Sequence, residues 1–256
     1  MRRAKTKSHQ SSPRGVFITA TDTGVGKTLV AAALVAHLRQ RGIDVGVMKP
    51  VETGVTPSTK AQSDGARLRE AAGSHDPMAE VCPYVFRCPV APLSAARAEG
   101  KTIRVATILH AFRALRRKHD LLIVEGAGGV HVPITGTLDG LDLMERMGLP
   151  VIVVGRSDLG GVNHALLTLT ALRQRKIPIV ALVLNRVRPV RTTIARTQEQ
   201  STSVLLGRLA KVPVIGPLPY HSGVTRTWPD GILQLAWTVE IMALAKLVSA
   251  YGREKL

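Results

Sequence analysis

Three short runs limit the fold most: LLIV at 121–124, PVIVVG at 150–155 and IPIVALVL at 177–184 are apolar without alternation. A strand with one face in water alternates apolar and polar side chains. These do not, so both faces must be covered. Stretches with helical spacing stand between them, such as TLVAAALVAHLRQ at 28–40 and NHALLTLTALRQ at 163–174. Strand and helix keep alternating along the chain, which predicts an α/β fold: a doubly wound, mostly parallel sheet with right-handed crossovers. In such sheets ligands gather beyond the carboxyl ends of the strands. Each unusual loop of this sequence falls at such an end.

The 256 residues suit one domain over 15–256, preceded by a tail, MRRAKTKSHQSSPR, with five Lys or Arg and no acid. That tail is expected to be disordered. The formal net charge is +17, but the charges are scattered and aromatics make up only 3%, leaving little for stacking on bases. A basic surface that favours small anionic ligands is expected, with no nucleic-acid partner. No apolar run is long enough to span a bilayer. GILQLAWTVEIMALAKLVSA is interrupted by Gln234, Glu240 and Lys246 and reads as one amphipathic helix. Cys82 and Cys88 have no second pair, which excludes a four-cysteine zinc site; free thiols in the cytoplasm are expected.

The segment ATDTGVGKT at 20–28 lies between a strand and a helix, the context a phosphate-binding loop requires. Backbone N–H groups around Gly24–Thr28 can wrap phosphate oxygens, and the helix N-terminus adds the positive end of its dipole. Lys27 would neutralise β- and γ-phosphate charge, and the Thr28 hydroxyl would reach Mg²⁺. The usual first glycine is replaced: Ala20 stands there, in a loop one residue longer. Such a loop resembles that of partition, nitrogenase-iron and cobyrinate-amidation ATPases. Many of those carry a second lysine five residues before the loop lysine, and here that position is Asp22.

Further features follow other strands. Lys49, in MKPVETG, is either a solvent-facing strand end or a cation that stabilises charge on a phosphoryl group or substrate. Asp64, in QSDGARL, is a helix cap or a site carboxylate. Glu125 ends an apolar strand in DLLIVEGAGG, where a phosphate-loop protein keeps a Mg²⁺-linked acid, and the following glycines allow close backbone approach. LGGVNH at 159–164 opens a helix, as a plain cap or an anion-ready terminus. Asn185, in LVLNRV, is a turn residue or a partner for a purine edge.

In this order and spacing, TDTGVGKT, KPVETG, EGAGG, LGGVNH and LNRV followed by VIGPLPY resemble the dethiobiotin synthetase family over most of residues 15–221. The resemblance implies a P-loop homodimer that converts 7,8-diaminononanoate, CO₂ and ATP to dethiobiotin with Mg²⁺. It implies that Gly24, Val25, Gly26, Lys27, Thr28 and Leu29 form the ATP-phosphate loop, and that Thr28, Asp64 and Glu125 are the Mg²⁺ ligands. Lys49 falls on the catalytic lysine and Thr53 on the hydroxyl that contacts the diamine. Glu125, Gly126, Ala127 and Gly128 match a nucleotide-and-substrate segment, and Asn185 and Pro219 the adenine pocket. Leu159, Gly160, Gly161 and Asn163 match the element that receives the substrate carboxylate across the dimer interface. Gly24 stands where some relatives have Glu, and HSGVTRTWPDG departs from the family pattern. The rival readings are the ATPase half of a cobyrinate-type amidotransferase, for which the chain is too short to carry a glutaminase, and a partition-type switch ATPase, which the missing second lysine disfavours.

Overall fold

The computed structural model describes residues 15–221, 224, 227, 228 and 230–253; the basic tail and much of HSGVTRTWPDG lie outside them. The strands are β1 (Gly15–Ala20), β2 (Val45–Met48), β3 (Val51–Thr53), β4 (Tyr84–Phe86), β5 (Leu121–Gly129), β6 (Val151–Arg156), β7 (Ile179–Asn185) and β8 (Val214–Leu218). The helices are α1 (Lys27–Gln40), α2 (Asp64–Ala72), α3 (Met78–Val81), α4 (Pro92–Ala98), α5 (Val105–Lys118), α6 (Gly140–Met147), α7 (Gly161–Gln174), α8 (Thr193–Leu209), α9 (Asp230–Ala236) and α10 (Val239–Arg253). Six strands form one sheet in the order β2-β5-β1-β6-β7-β8, and every pairing in it is parallel. The expected doubly wound α/β architecture is present.

Alternation along each strand sends side chains to opposite faces, and both faces are covered. Val16 and Ile18 of β1, with Ile152 and Val154 of β6, join one core under α1, α2, α9 and α10. Phe17, Val151 and Val153 join the other, under α5, α6, α7 and α8. Each fully buried Leu, Ile or Phe adds about 1.5–3 kcal/mol relative to an exposed one. Helix α1 lies centrally enough that Val30 through Leu38 are all buried. That is why its sequence is apolar all round rather than striped.

Two expectations change. The stretch from Gly231 to Ala250 is not one helix: α9 and α10 meet at Trp237–Thr238 with a bend of 70°. The bend lets both helices fold over α1, burying Leu235 and Ala236 from one and Ile241 and Leu244 from the other. Among the described residues no single helix is long and apolar enough to cross a membrane. Strand β2 stops at Met48, the Lys49 N–H donating to the Val81 carbonyl at 2.7 Å. The chain then re-enters extended structure as β3, which pairs in parallel with β4 in a separate two-stranded sheet.

At the amino-terminal edge of the main sheet, His119 bridges two carboxylates. Its Nδ1 lies 2.9 Å from Asp44 Oδ1 and its Nε2 2.8 Å from Asp76 Oδ2. Ser74 Oγ donates to the same Asp76 oxygen at 2.6 Å, and Lys118 Nζ reaches Glu80 at 2.6 Å. Burial works to lower the His119 pKa, but hydrogen bonds donated by the protonated ring to Asp44 and Asp76, and the charges of those carboxylates, outweigh it, and the net direction is up.

Candidate active site at the carboxyl ends of the strands

Gly24, Gly26, Lys27, Thr28, Lys49, Thr53, Asp64, Glu125, Ala127 and Gly128 line one cleft of about 520 Å³. It opens above β1, β2 and β5, at the carboxyl ends where a parallel sheet exposes its loops. The loop leaving β1 turns into α1 through Gly26, whose φ of 96° is left-handed, and no side chain caps the helix. Glycine is required there on two counts. An L-residue disfavours that φ, and a Cβ would meet the Asn185 side-chain amide.

The charged groups converge. Lys49 Nζ sits 2.6 Å from Glu125 Oε1 and 2.7 Å from Asp64 Oδ2, and Thr28 Oγ1 donates to Glu125 Oε1 at 2.9 Å. Lys49 is 4% exposed and Glu125 0%, so this cation and this carboxylate are held out of water by design of the packing. Burial works against the Lys49 ammonium, yet the charges of Glu125 and Asp64 and their hydrogen bonds hold its pKa well above the lysine range. Burial also pushes the Asp64 carboxyl up; the charge and hydrogen bond of Lys49, the Thr28 hydroxyl and Lys27 outweigh it and hold Asp64 below the usual range. Lys27 behaves differently. Burial, and then repulsion from Lys49, lower its pKa to about 8. Its Nζ folds back on the Asp22 carbonyl at 3.2 Å.

The donor set suits a hard cation. Among the described residues Glu125 Oε2 is buried without a hydrogen-bond partner, on the carboxylate whose Oε1 meets the Thr28 hydroxyl and shares Lys49 Nζ with Asp64. Among the described residues no cluster of three His, Cys, Asp or Glu exists that would bind a metal by itself. Two carboxylates and a hydroxyl, all oxygen donors, fit Mg²⁺, which would be held by Thr28, Asp64 and Glu125.

Other expected residues fall elsewhere. Val25 is buried beneath the loop, Leu29 packs against the α1-side core, and Gly126 lies against the Phe17 ring. Asn185, at the end of β7, is 3% exposed; its Nδ2 donates to the Val25 carbonyl at 2.9 Å, and its Oδ1 has no partner among the described residues. Pro219 follows β8, half-buried. Leu159 precedes α7, Gly160 is its N-cap, and Gly161 and Asn163 lie in its first turn; none lines the cleft, and Leu159 is 71% exposed. Sequence reasoning missed Glu52, 6% exposed, and the wall Pro89–Pro92. Glu52 stands within the quoted KPVETG, but a carboxylate one residue before Thr53 carries no signal of its own. The Cys82 thiol is buried, and burial followed by Glu52 pushes its pKa up, so it makes no ready nucleophile.

Known proteins extend this geometry. Residues 14–227 match a family described as an AAA domain, AAA_26. The chain is 49% identical over 176 residues to the ATP-dependent dethiobiotin synthetase BioD of Anaeromyxobacter dehalogenans (strain 2CP-C), covering 69% of this chain and 78% of that one. It is 40% identical over 215 residues to the protein of that name from Thermodesulfovibrio yellowstonii, covering 80% and 88%. The MinD cell division protein of Aquifex aeolicus superposes with a TM-score of 0.54 at 12% identity over 93% of this chain and 97% of that one. A ParA family ATPase from Chlorobium tepidum does so with 0.51 at 15%, over 94% and 99%. At those identities the last two share the fold alone. The identity to the synthetases, over most of both chains, shows that the chain belongs to the ATP-dependent dethiobiotin synthetase family.

Proposed function

We propose that the chain is an ATP- and Mg²⁺-dependent cyclo-ligase that closes the ureido ring of dethiobiotin from 7,8-diaminononanoate, CO₂ or bicarbonate, and ATP. One substrate amine, carried as its carbamate, attacks the γ-phosphorus through a carbamate oxygen, and ADP leaves. The second amine nitrogen attacks the carbonyl carbon of the resulting carbamic–phosphoric anhydride, the ring closes, and phosphate is expelled. Every charged reactant near the phosphates is anionic, so fixed positive charge is what the site must supply.

The residues divide that task. Lys27 and the amides of Gly24–Thr28 hold the triphosphate. Lys49 faces the carbamate and the phosphoryl group in transfer, and the Thr53 hydroxyl orients the diamine. Thr28, Asp64 and Glu125 would hold Mg²⁺, which when bound offsets charge on the phosphate oxygens. Gly126, Ala127 and Gly128 bring backbone close to nucleotide and substrate. Asn185 and Pro219 form the adenine side; the unpartnered Asn185 Oδ1 is an acceptor suited to an exocyclic amine. The segment entering α7, exposed at Leu159, Gly160 and Asn163 and away from its own cleft, serves the cleft of a second subunit: Leu159, Gly160, Gly161 and Asn163 receive the substrate carboxylate in a homodimer. The protein is assigned to the cytoplasm, with residues 15–256 as one domain.

The observation that carries this reading is a buried Lys49 held between two carboxylates at the mouth of a phosphate loop. Phosphate release from ATP, followed with diamine and bicarbonate each left out in turn, tests it. Release should require both, with dethiobiotin detected by mass. Release that is indifferent to either one would overturn the assignment.

A further inference from the structure

Glu52 has no part in the chemistry above, yet its carboxylate is almost wholly buried in the wall of the cleft. Its Oε1 accepts the Asp64 N–H at 2.5 Å, and its Oε2 accepts the Gly65 N–H at 3.0 Å. These are the first two amides of α2. That helix already has its own cap: Ser63 Oγ accepts from Ala66 N–H at 3.3 Å, and the Ser63 carbonyl takes Arg67 N–H at 2.9 Å. That cap leaves the Asp64 and Gly65 N–H groups open, and the carboxylate from β3 takes both; burying it is costly unless it is hydrogen-bonded in this way. A Cβ at Gly65 would sit 3.1 Å from Cys82 Cβ, so glycine lets α2 pack closely on Cys82, while Glu52 Oε2 would remain at an ordinary contact distance.

The residue gripped by Glu52 is the one whose side chain enters the charged cluster. Asp64 Oδ2 lies 2.7 Å from Lys49 Nζ, while the Asp64 main chain is pinned by Glu52. Lys49 lies in the break between β2 and β3 and Glu52 three residues on in β3, so one short segment fixes both ends of Asp64. We propose that Glu52 is a positioning residue: by clamping the Asp64 and Gly65 amides it holds the Asp64 carboxylate where a divalent cation and Lys49 meet. This rests on the cyclo-ligase reading for the identity of the reaction, but not for the cation.

The test is Mn²⁺ binding to the ADP-bound protein, read by electron paramagnetic resonance, alongside kcat and KM, for wild type, Glu52→Ala, Asp64→Asn and the double variant. Glu52→Ala should weaken Mn²⁺ about 10–100-fold, the range for loss of a group that orients a metal ligand. kcat should fall while KM for the diamine stays close to wild type. The double variant should bind Mn²⁺ no more weakly than Asp64→Asn alone, because Glu52 acts through Asp64. Glu52→Gln keeps one carbonyl acceptor and should recover part of the loss; it also carries the comparison should Glu52→Ala not fold. Wild-type Mn²⁺ affinity in Glu52→Ala, or strictly additive losses in the double variant, would overturn the proposal. If wild type makes no dethiobiotin, the functional reading fails while the Mn²⁺ comparison still decides the role of Glu52.

Discussion

Lys49 Nζ and Glu125 Oε1 lie 2.6 Å apart, joining a cation from the end of β2 to a carboxylate within β5. The pair is buried, and Asp64 makes it a triad. Losing one partner of such a pair leaves its neighbour uncompensated, at a cost of about 3–5 kcal/mol. Lys49→Met should therefore lower the melting temperature as well as turnover. The fall in kcat should be about 10²–10³-fold, as for removal of one fixed group that stabilises transition-state charge. Turnover within a few-fold of wild type in a folded variant would take Lys49 out of the mechanism.

Lys27 has its pKa lowered to about 8 by burial and by Lys49. A triphosphate against it favours the charged form and reverses that shift. Nucleotide binding should therefore take up protons at pH 8.5 and none at pH 6.5, where Lys27 is already charged. Calorimetry in buffers of different ionisation enthalpy reads this directly. Lys27→Met should abolish the uptake, and a binding enthalpy independent of buffer at pH 8.5 would refute the contact.

Gly26 has a left-handed φ and the Asn185 amide where a Cβ would stand. Gly26→Ala should cost the loop about 1–2 kcal/mol from the backbone alone, with displacement of Asn185 added. ATP affinity should drop at least about tenfold while the far side of the sheet keeps its stability. Titration giving wild-type affinity would mean that the loop tolerates a different path.

His119 has a raised pKa in the folded protein, so its clasp on Asp44 and Asp76 stabilises fully below the unfolded value of about 6.5 and fades as pH rises through the folded one. The melting temperature of His119→Gln should fall furthest below wild type near pH 6. By pH 9 the gap should have narrowed. A gap that does not change with pH would assign the clasp to neutral hydrogen bonds alone.

What could be read in advance was local. The strand–loop–helix around Lys27 and the unalternated runs of β5, β6 and β7 declare themselves within a few residues, because a parallel sheet needs both faces of each strand apolar. The three-residue β3 and β4 are too short to show a period, and their pairing joins residues more than thirty positions apart. Helix α8 is polar along much of its length, and Glu199 and Thr202 are buried on the face where Leu206 also packs. The 70° bend between α9 and α10 follows from what they cover, which the apolar pattern alone does not contain. Glu52 escaped for the same reason: its partners, Asp64 and Gly65, are main-chain groups, and no side-chain motif marks them.

Asn185 is rooted in β7, two strands from β1 in the sheet, yet it holds the Val25 carbonyl. The turn before α1 is thus moored to two separate strands. A turn held from both sides has fewer paths open to it, so less ordering is left to be done on docking, and more of the gross attraction survives as affinity. The same mooring makes β7 a remote lever: whatever shifts that strand moves the turn with it.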